Sequence, residues 1–443
     1  MNTHVARSRS LMFSGALLTA SAACAASDPV GDPDEVRAVV DQMIADAETR
    51  SSLLADSAVG GHNGKNFFLQ SADGSFRLLF RGQVQFRYML DFRDDGDGNG
   101  DGASEDDFES GFQTRRTKLY FEGHVWEKAL TYRVLGAYSR STGDFRLEEA
   151  FAAYKWGNGV SVQLGQFKLP FLREETTSSS MQLAVERSIV SDSFSLVRSQ
   201  GVQASYENDS IRLALAFSDG AGAENSDFSA PRNATSTGLI NRSGLGESDY
   251  ALTGRAEWKL FGTWDAFKDF TSPVGSDYSL MLGAAGHYEG GDGSSSAFTS
   301  GTYEYASWTA DLTVEGDGWN AFIAGVGGYT DFHGTAAGDV VNDDYGLLAQ
   351  GGFMIPETQI EPFVRYAGLF TDPDRTADGA DTFSSLTFGV NYYLYGHASK
   401  FTGDVVWYLD ETDPLVTRRT GHGQLGDDDS GEVTVRLQWQ LLF

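Results

Sequence analysis

The sequence has 443 residues but one cysteine, nine prolines, and 33 lysines and arginines against 62 aspartates and glutamates. One cysteine excludes a disulfide framework and any cysteine-built zinc site. The shortage of basic residues leaves a formal net charge of −29. That argues against a nucleic-acid binder, which needs a basic face to displace counterions from phosphates. No later stretch is apolar for the ~18 residues of a membrane-spanning helix. The seven histidines are dispersed, with no His-Glu-x-x-His. There is no Gly-x-Ser-x-Gly, and Gly60 to Asn66 lacks the spacing of a phosphate loop. No enzyme is expected. What the chain has is 13% aromatic residues, too many for a disordered chain, and 52 glycines. Length alone suggests two or three domains. The composition equally suits one large β-barrel.

The first residues read as an export signal. Arg7 and Arg9 precede the apolar run Leu11 to Ala20, and Ala23-Cys24-Ala25 supplies a small-residue cleavage site. The expected signal peptide is 1–25. Lipidation at Cys24 is the competing reading, but Ser21-Ala22-Ala23 is a poor lipobox. Residues 26–65 form an N-terminal periplasmic segment. Within it Val36, Val40, Met43, Ala47, Arg50 and Leu54 fall at heptad spacing, after the helix-starting Pro33-Asp34-Glu35. This predicts a short helix over 33–57, which either lies on its own domain or oligomerises.

From residue 66 the hydrophobic period is two. Phe76, Leu78, Phe80, Val84, Phe86, Tyr88 and Leu90 share one face, and Arg77, Arg81, Gln83, Gln85 and Arg87 share the other. That is long for an ordinary strand of about five or six residues. A strand tilted across a bilayer needs ~9–11. The pattern recurs sixteen times, ending at 431–443. Short turns such as Glu127-Lys128, Gly157-Asn158 and Gly396-His397 alternate with long loops such as 91–111, 169–199 and 219–248. Only 261–276 is long where a short turn is due, so it is either a structured turn or a sign of a misplaced eighth strand. The prediction is an all-β fold over 66–443, a 16-stranded antiparallel transmembrane β-barrel. Lipid cannot satisfy free backbone groups, so the sheet must close. Sixteen strands leave an aqueous lumen. The apolar face then meets lipid and the Arg, Glu and Gln face meets water. Trp126, Tyr138, Trp156, Trp258, Tyr288, Trp319, Tyr366 and Tyr395 at strand ends suit interface girdles. The terminal Phe443 suits the end read by barrel-insertion machinery.

At this point a resemblance is visible. Ser71-Ala72-Asp73-Gly74-Ser75-Phe76-Arg77-Leu78, Arg81-Gly82-Gln83-Val84-Gln85 and Arg115-Arg116 resemble the opening of the phosphate-selective porin O/P family. Gly165-Gln166-Phe167-Lys168-Leu169-Pro170-Phe171 and Glu186-Arg187-Ser188 resemble its most distinctive stretch. The resemblance implies a homotrimeric channel in the cell outer membrane of a Gram-negative bacterium, embedded in outer-membrane lipid. It implies a third loop, 169–199, folded into the pore, and passage of small inorganic anions such as phosphate. The candidate anion contacts are Arg77, Arg81, Arg116, Lys118, Arg133, Lys168, Arg187 and Arg198. Guanidinium offers forked donors to a phosphate. The same side chains could instead pair with carboxylates and hold the third loop. The chain departs from the family in having 25 Arg but only 8 Lys, and in its acidity. Residues 66–218 hold 17 of the 33 basic residues, while Asp91 to Glu109 contains nine carboxylates and one Arg. A general diffusion porin without phosphate preference is therefore the alternative.

One more pattern stands out. Asp95, Asp97, Asn99, Asp101 and Asp106 resemble a calcium loop, without flanking helices. No cofactor is expected beyond a Ca²⁺ ion there, against a plain solvated acidic loop. A surface-loop calcium-binding or adhesive barrel is the third reading.

Overall fold

The computed structural model describes residues 37–38, 41–45, 58–93, 108–227, 247–292, 301–335, 338–373, 381–412 and 421–443. Residues 37–38 and 41–45 are helical and belong to a separate unit that ends at Ser57. From Ala58 onward the second unit is a closed sheet.

Sixteen strands form the barrel: β1 Arg77–Phe92, β2 Phe108–Val125, β3 Glu127–Tyr138, β4 Phe145–Lys155, β5 Val160–Lys168, β6 Arg198–Glu207, β7 Ile211–Ser218, β8 Glu247–Phe261, β9 Ser279–Asp292, β10 Thr302–Gly316, β11 Trp319–Thr335, β12 Gly338–Phe353, β13 Ile360–Phe370, β14 Thr382–Tyr393, β15 Ser399–Tyr408 and β16 Val433–Leu442. Each pairs antiparallel with the next, and β16 pairs with β1 from Val433↔Phe92 to Leu442↔Gln83. No edge of the barrel sheet is left open, as lipid requires. A hairpin, Val59–His62 with Phe67–Gln70, adds to the short-turn end of β1. The sheet thus starts before residue 66.

Side chains alternate as the pleat demands. On β1, Gln83, Gln85, Arg87 and Asp91 are buried inside while Phe86 and Phe92 are exposed outside. Seven of the eight strand-end aromatics are exposed, and Tyr366 is half-buried. The long connection after β8 is a structured turn. It holds a 3₁₀ turn, Ala266–Lys268, and buries Phe267 and Phe270. β8 pairs with both β7 and β9, so the strand is correctly placed.

The lumen is not simply water-filled. Residues 169–197 turn inward and carry two short helices, Arg173–Thr176 and Ile189–Phe194. Leu183, Val190, Phe194 and Leu196 pack on Phe322, Ala324, Val326, Leu348 and Phe363 of the facing wall. There both strand faces are apolar, because the inner face meets the loop rather than water. Packing therefore fills the lumen on the β11–β13 side, while polar inner residues of β2, β4 and β6 line a cavity.

A basic ladder between the inward loop and the wall

Two β-bulges shape the open wall. On β2, Gln85 pairs with Arg116 and Phe86 with Thr114, so Arg115 is the extra residue. On β4, Leu135 pairs with Glu149 and Gly136 with Leu147, so Glu148 is extra. A bulge re-aims a side chain that strict alternation would send to lipid. Arg115 and Arg116 accordingly both reach Glu186 of the loop. Glu148 and Glu149 both reach Arg198.

The result is a ladder of alternating charge. Arg81 Nη2 meets Glu122 at 2.9 Å, and Arg133 Nε meets the same carboxylate at 3.1 Å. Arg133 also meets Glu149 at 3.3 Å. Arg198 donates to Glu149 at 3.2 Å and Glu148 at 2.8 Å, and Lys118 Nζ donates to Glu148 at 2.6 Å. On the loop side, Lys168 Nζ lies 3.5 Å from Glu175 and donates to its carbonyl at 2.6 Å. Arg187 grips the same carboxylate at 3.0 Å and the Thr177 carbonyl at 2.9 Å. At the long-loop end Glu186 receives Arg87 at 2.9 Å, Arg115 at 2.8 Å and, most closely, Arg116.

The loop needs partners for its backbone, since little of it is helical and most of it is buried. Wall side chains supply them. Carbonyls of Ser179, Ser180, Gln182, Leu183, Val185 and Glu186 accept from Gln85, Gln440, Lys400, Asn391, Arg87 and Arg365 at 2.7–3.1 Å. Asp404 accepts from the Val185 N–H at 3.0 Å and is held by Arg436 at 2.7 Å. The loop is thus fixed on both faces, by apolar packing and by charged or amide donors. In the turn before β1, the Ser71 hydroxyl and then Ser75 hold Asp73 down at about 2. That turn opens the motif 71–78.

Two cavities flank the ladder. One, of about 610 Å³, lies at the short-turn end and is lined by Trp156, Arg173, Thr177, Tyr206 and Arg255. The other, of about 390 Å³, lies towards the long loops and is lined by Arg115, Arg116, Lys118, Arg140, Glu148 and Arg198.

All eight candidate anion contacts fall on the inner wall or the inward loop. Seven form ion pairs, with Glu122, Glu148, Glu149, Glu175 or Glu186. Arg77 instead lies over the Phe68 ring at 5.3 Å. Arg87 and Arg115 complete the cluster on Glu186 although they were not among the eight candidates. Arg87 shares the alternating face with Arg77 and Arg81, so the sequence did carry its signal. Arg115 is hidden by the bulge. The calcium-loop residues Asp95, Asp97, Asn99, Asp101 and Asp106 lie outside the described residues.

A closed sixteen-stranded barrel with an inward third loop and a charged inner wall defines an outer-membrane channel of the porin class. Residues 83–296 match the model of the family "Phosphate-selective porin O and P". No curated protein matches the sequence. Among solved structures, the chain is similar to an anion-selective porin of Comamonas acidovorans. Identity is 13% and the TM-score 0.51, over 83% of this chain and 99% of that one. It is similar also to the in-vitro folded outer-membrane protein OmpT of Vibrio cholerae. There identity is 11% and the TM-score 0.50, over 83% of this chain and 97% of that one. At these identities the likeness is one of fold.

Proposed function

We propose that the protein conducts small inorganic anions passively across the outer membrane, with phosphate among them, and that the constriction runs along the ladder between wall and inward loop. The observation that carries this is a charge count. Nine basic side chains (Arg81, Arg87, Arg115, Arg116, Lys118, Arg133, Lys168, Arg187, Arg198) are linked to five carboxylates (Glu122, Glu148, Glu149, Glu175, Glu186), an excess of four positive charges. An anion passing this wall meets a favourable field, and rings of basic side chains favour anions in pores. Lys168 and Arg187 share Glu175, and each of the two cavities has a lining residue next to this trio. Thr177, which accepts from Arg187, lines one, and Arg198 lines the other. A signal peptide over 1–25, export to the outer membrane and assembly as a homotrimer belong to the same reading, through the family.

The general-diffusion reading has one observation in its favour, that seven of the eight candidate contacts already carry a carboxylate partner. Planar-bilayer recording separates the two. In a KCl gradient the zero-current potential is expected to show chloride preference, and added phosphate is expected to reduce chloride conductance in a saturable way. A cation-selective potential overturns the proposal. Chloride preference without any effect of phosphate leaves a general anion pore.

A further inference from the structure

The connection from Phe261 to Ser279 is long at an end of the barrel where the other connections are short. It does not hang free. Phe267, Phe270, Thr271 and Ser272 are buried. The Phe270 ring packs on Phe322 of β11, with centroids 5.0 Å apart. Thr271 shares a hydrogen bond with the Tyr393 hydroxyl at 2.9 Å, and Ser272 donates to the Gly316 carbonyl at 2.5 Å. The Gly275 N–H donates to Asp317 at 2.6 Å. The turn is thereby pinned to the inner wall of β10, β11 and β14.

One side chain of the inward loop reaches it. Arg173 opens the helix Arg173–Thr176 and is 5% exposed. Its Nη2 donates to the Phe267 carbonyl at 2.7 Å. Its guanidinium lies over the rings of Phe267 and Phe270, 5.9 and 5.5 Å from their centroids. It makes no ion pair among the described residues. Glu257 and Asp311 act on it from farther off, and both already pair with Arg255. One carbonyl and two ring faces therefore hold this buried cation. Glu175 lies in the same short helix. The Thr177 N–H and the Thr176 hydroxyl both donate to the Arg173 carbonyl, at 2.9 and 3.1 Å, and tie the helix together. Glu175 is the carboxylate that Lys168 and Arg187 share. A helix of one turn has little stability of its own, so whatever holds Arg173 also places Glu175. On the opposite flank Glu174 is held by the Ser188 hydroxyl at 2.6 Å and by Arg365 at 3.2 Å.

We infer that the turn 262–276 is a clasp on the constriction, and that Arg173 is the positioning residue through which it sets where Glu175 stands between Lys168 and Arg187. The inference rests on the reading that the constriction runs past Glu175. It deepens that reading by naming the element that fixes the constriction from the short-turn end, and it gives the one long turn at that end a task.

A double-mutant cycle in planar bilayers tests this, with the chloride-to-potassium permeability ratio as its readout. Arg173→Gln is expected to change the ratio about threefold in the otherwise unaltered chain, the size of a coupling between groups in one network. In the Glu175→Gln background it is expected to change the ratio hardly at all, because the group it positions no longer carries charge. Arg173→Lys keeps the charge and a donor for the Phe267 carbonyl, and is expected to keep the wild-type ratio. Phe267→Leu leaves every charge in place and removes one ring face. It is expected to shift the ratio in the same direction as Arg173→Gln, and it serves if Arg173→Gln fails to assemble. A charge that acted only through the field of the lumen would change the ratio by the same factor in both backgrounds, and that result overturns the inference. An unchanged ratio in Arg173→Gln and Phe267→Leu, even with a lowered thermal midpoint, would show that the clasp only braces the barrel, and overturns it likewise. Both results leave the reading of the constriction standing. An unchanged ratio in Glu175→Gln by itself overturns that reading, and the inference with it.

Discussion

Lys168, Glu175 and Arg187 form the smallest unit on which selectivity can be argued. Two cations hold one carboxylate, which leaves one net positive charge where the inward loop leaves the wall. Replacing Lys168 and Arg187 together by Ala reverses that sign and leaves Glu175 unpaired beside the path. Opposite unit charges 4 Å apart interact by ~1 kcal/mol in water and by several times more near protein. The chloride-to-potassium permeability ratio is therefore expected to drop about tenfold, which a zero-current potential in a KCl gradient measures directly. An unchanged ratio would place the filter elsewhere on the ladder. Alternation in the sequence already sets Arg77, Arg81, Lys118 and Arg133 on the inner face, because period two is a property of each strand alone. Their partners were not legible in the same way. Glu186 lies some seventy residues from Arg115 and Arg116, and only the fold of the loop brings them together.

At the scale of elements, the inward loop is seated by packing as much as by charge. Gly346 on β12 faces the helix Ile189–Phe194. A Cβ there would come within 2.8 Å of Val190 and 3.1 Å of Phe194. Gly346→Leu therefore pushes the helix off the wall, at the ~1–3 kcal/mol typical of overpacking. The expected outcome is an altered single-channel conductance with larger current noise, together with a lower thermal midpoint. Wild-type values for all three would mean that the helix does not brace the loop. The sixteen strands were legible because each carries its own alternation, with ends off by only a few residues. What alternation misses is where it breaks. Phe322, Ala324 and Val326 face inward while Ile323 faces out, so β11 is apolar on both sides. Its inner surface meets a loop from far away in the sequence. The bulges at Arg115 and Glu148 escape for a related reason. An extra residue shows only against the partner strand, and one chain read alone gives no register.

At the scale of the whole molecule, two charge distributions oppose each other. The net charge of −29 is concentrated in part in the long connections, with nine carboxylates between Asp91 and Glu109 and three at Asp427, Asp428 and Asp429. The ladder is positive, and much of it is buried. Salt acts on the two unequally, because exposed charges are screened more than partly buried ones. At 0.01 M salt the Debye length of ~30 Å lets loop carboxylates oppose anion entry from a distance. At 0.1 M it is ~10 Å, which mutes the loops while the ladder still acts at contact distance. Near 1 M, at ~3 Å, the ladder fades too. The chloride preference is thus expected to rise from 0.01 to 0.1 M and to fall again towards 1 M. Zero-current potentials at a fixed gradient ratio over these mean concentrations would trace the curve. Replacing Asp427, Asp428 and Asp429 by Asn should raise the low-salt limb and leave the high-salt limb in place. A preference that only declines with salt would show that the loop carboxylates exert no field on the path, and that the acidity of the chain has no part in its selectivity.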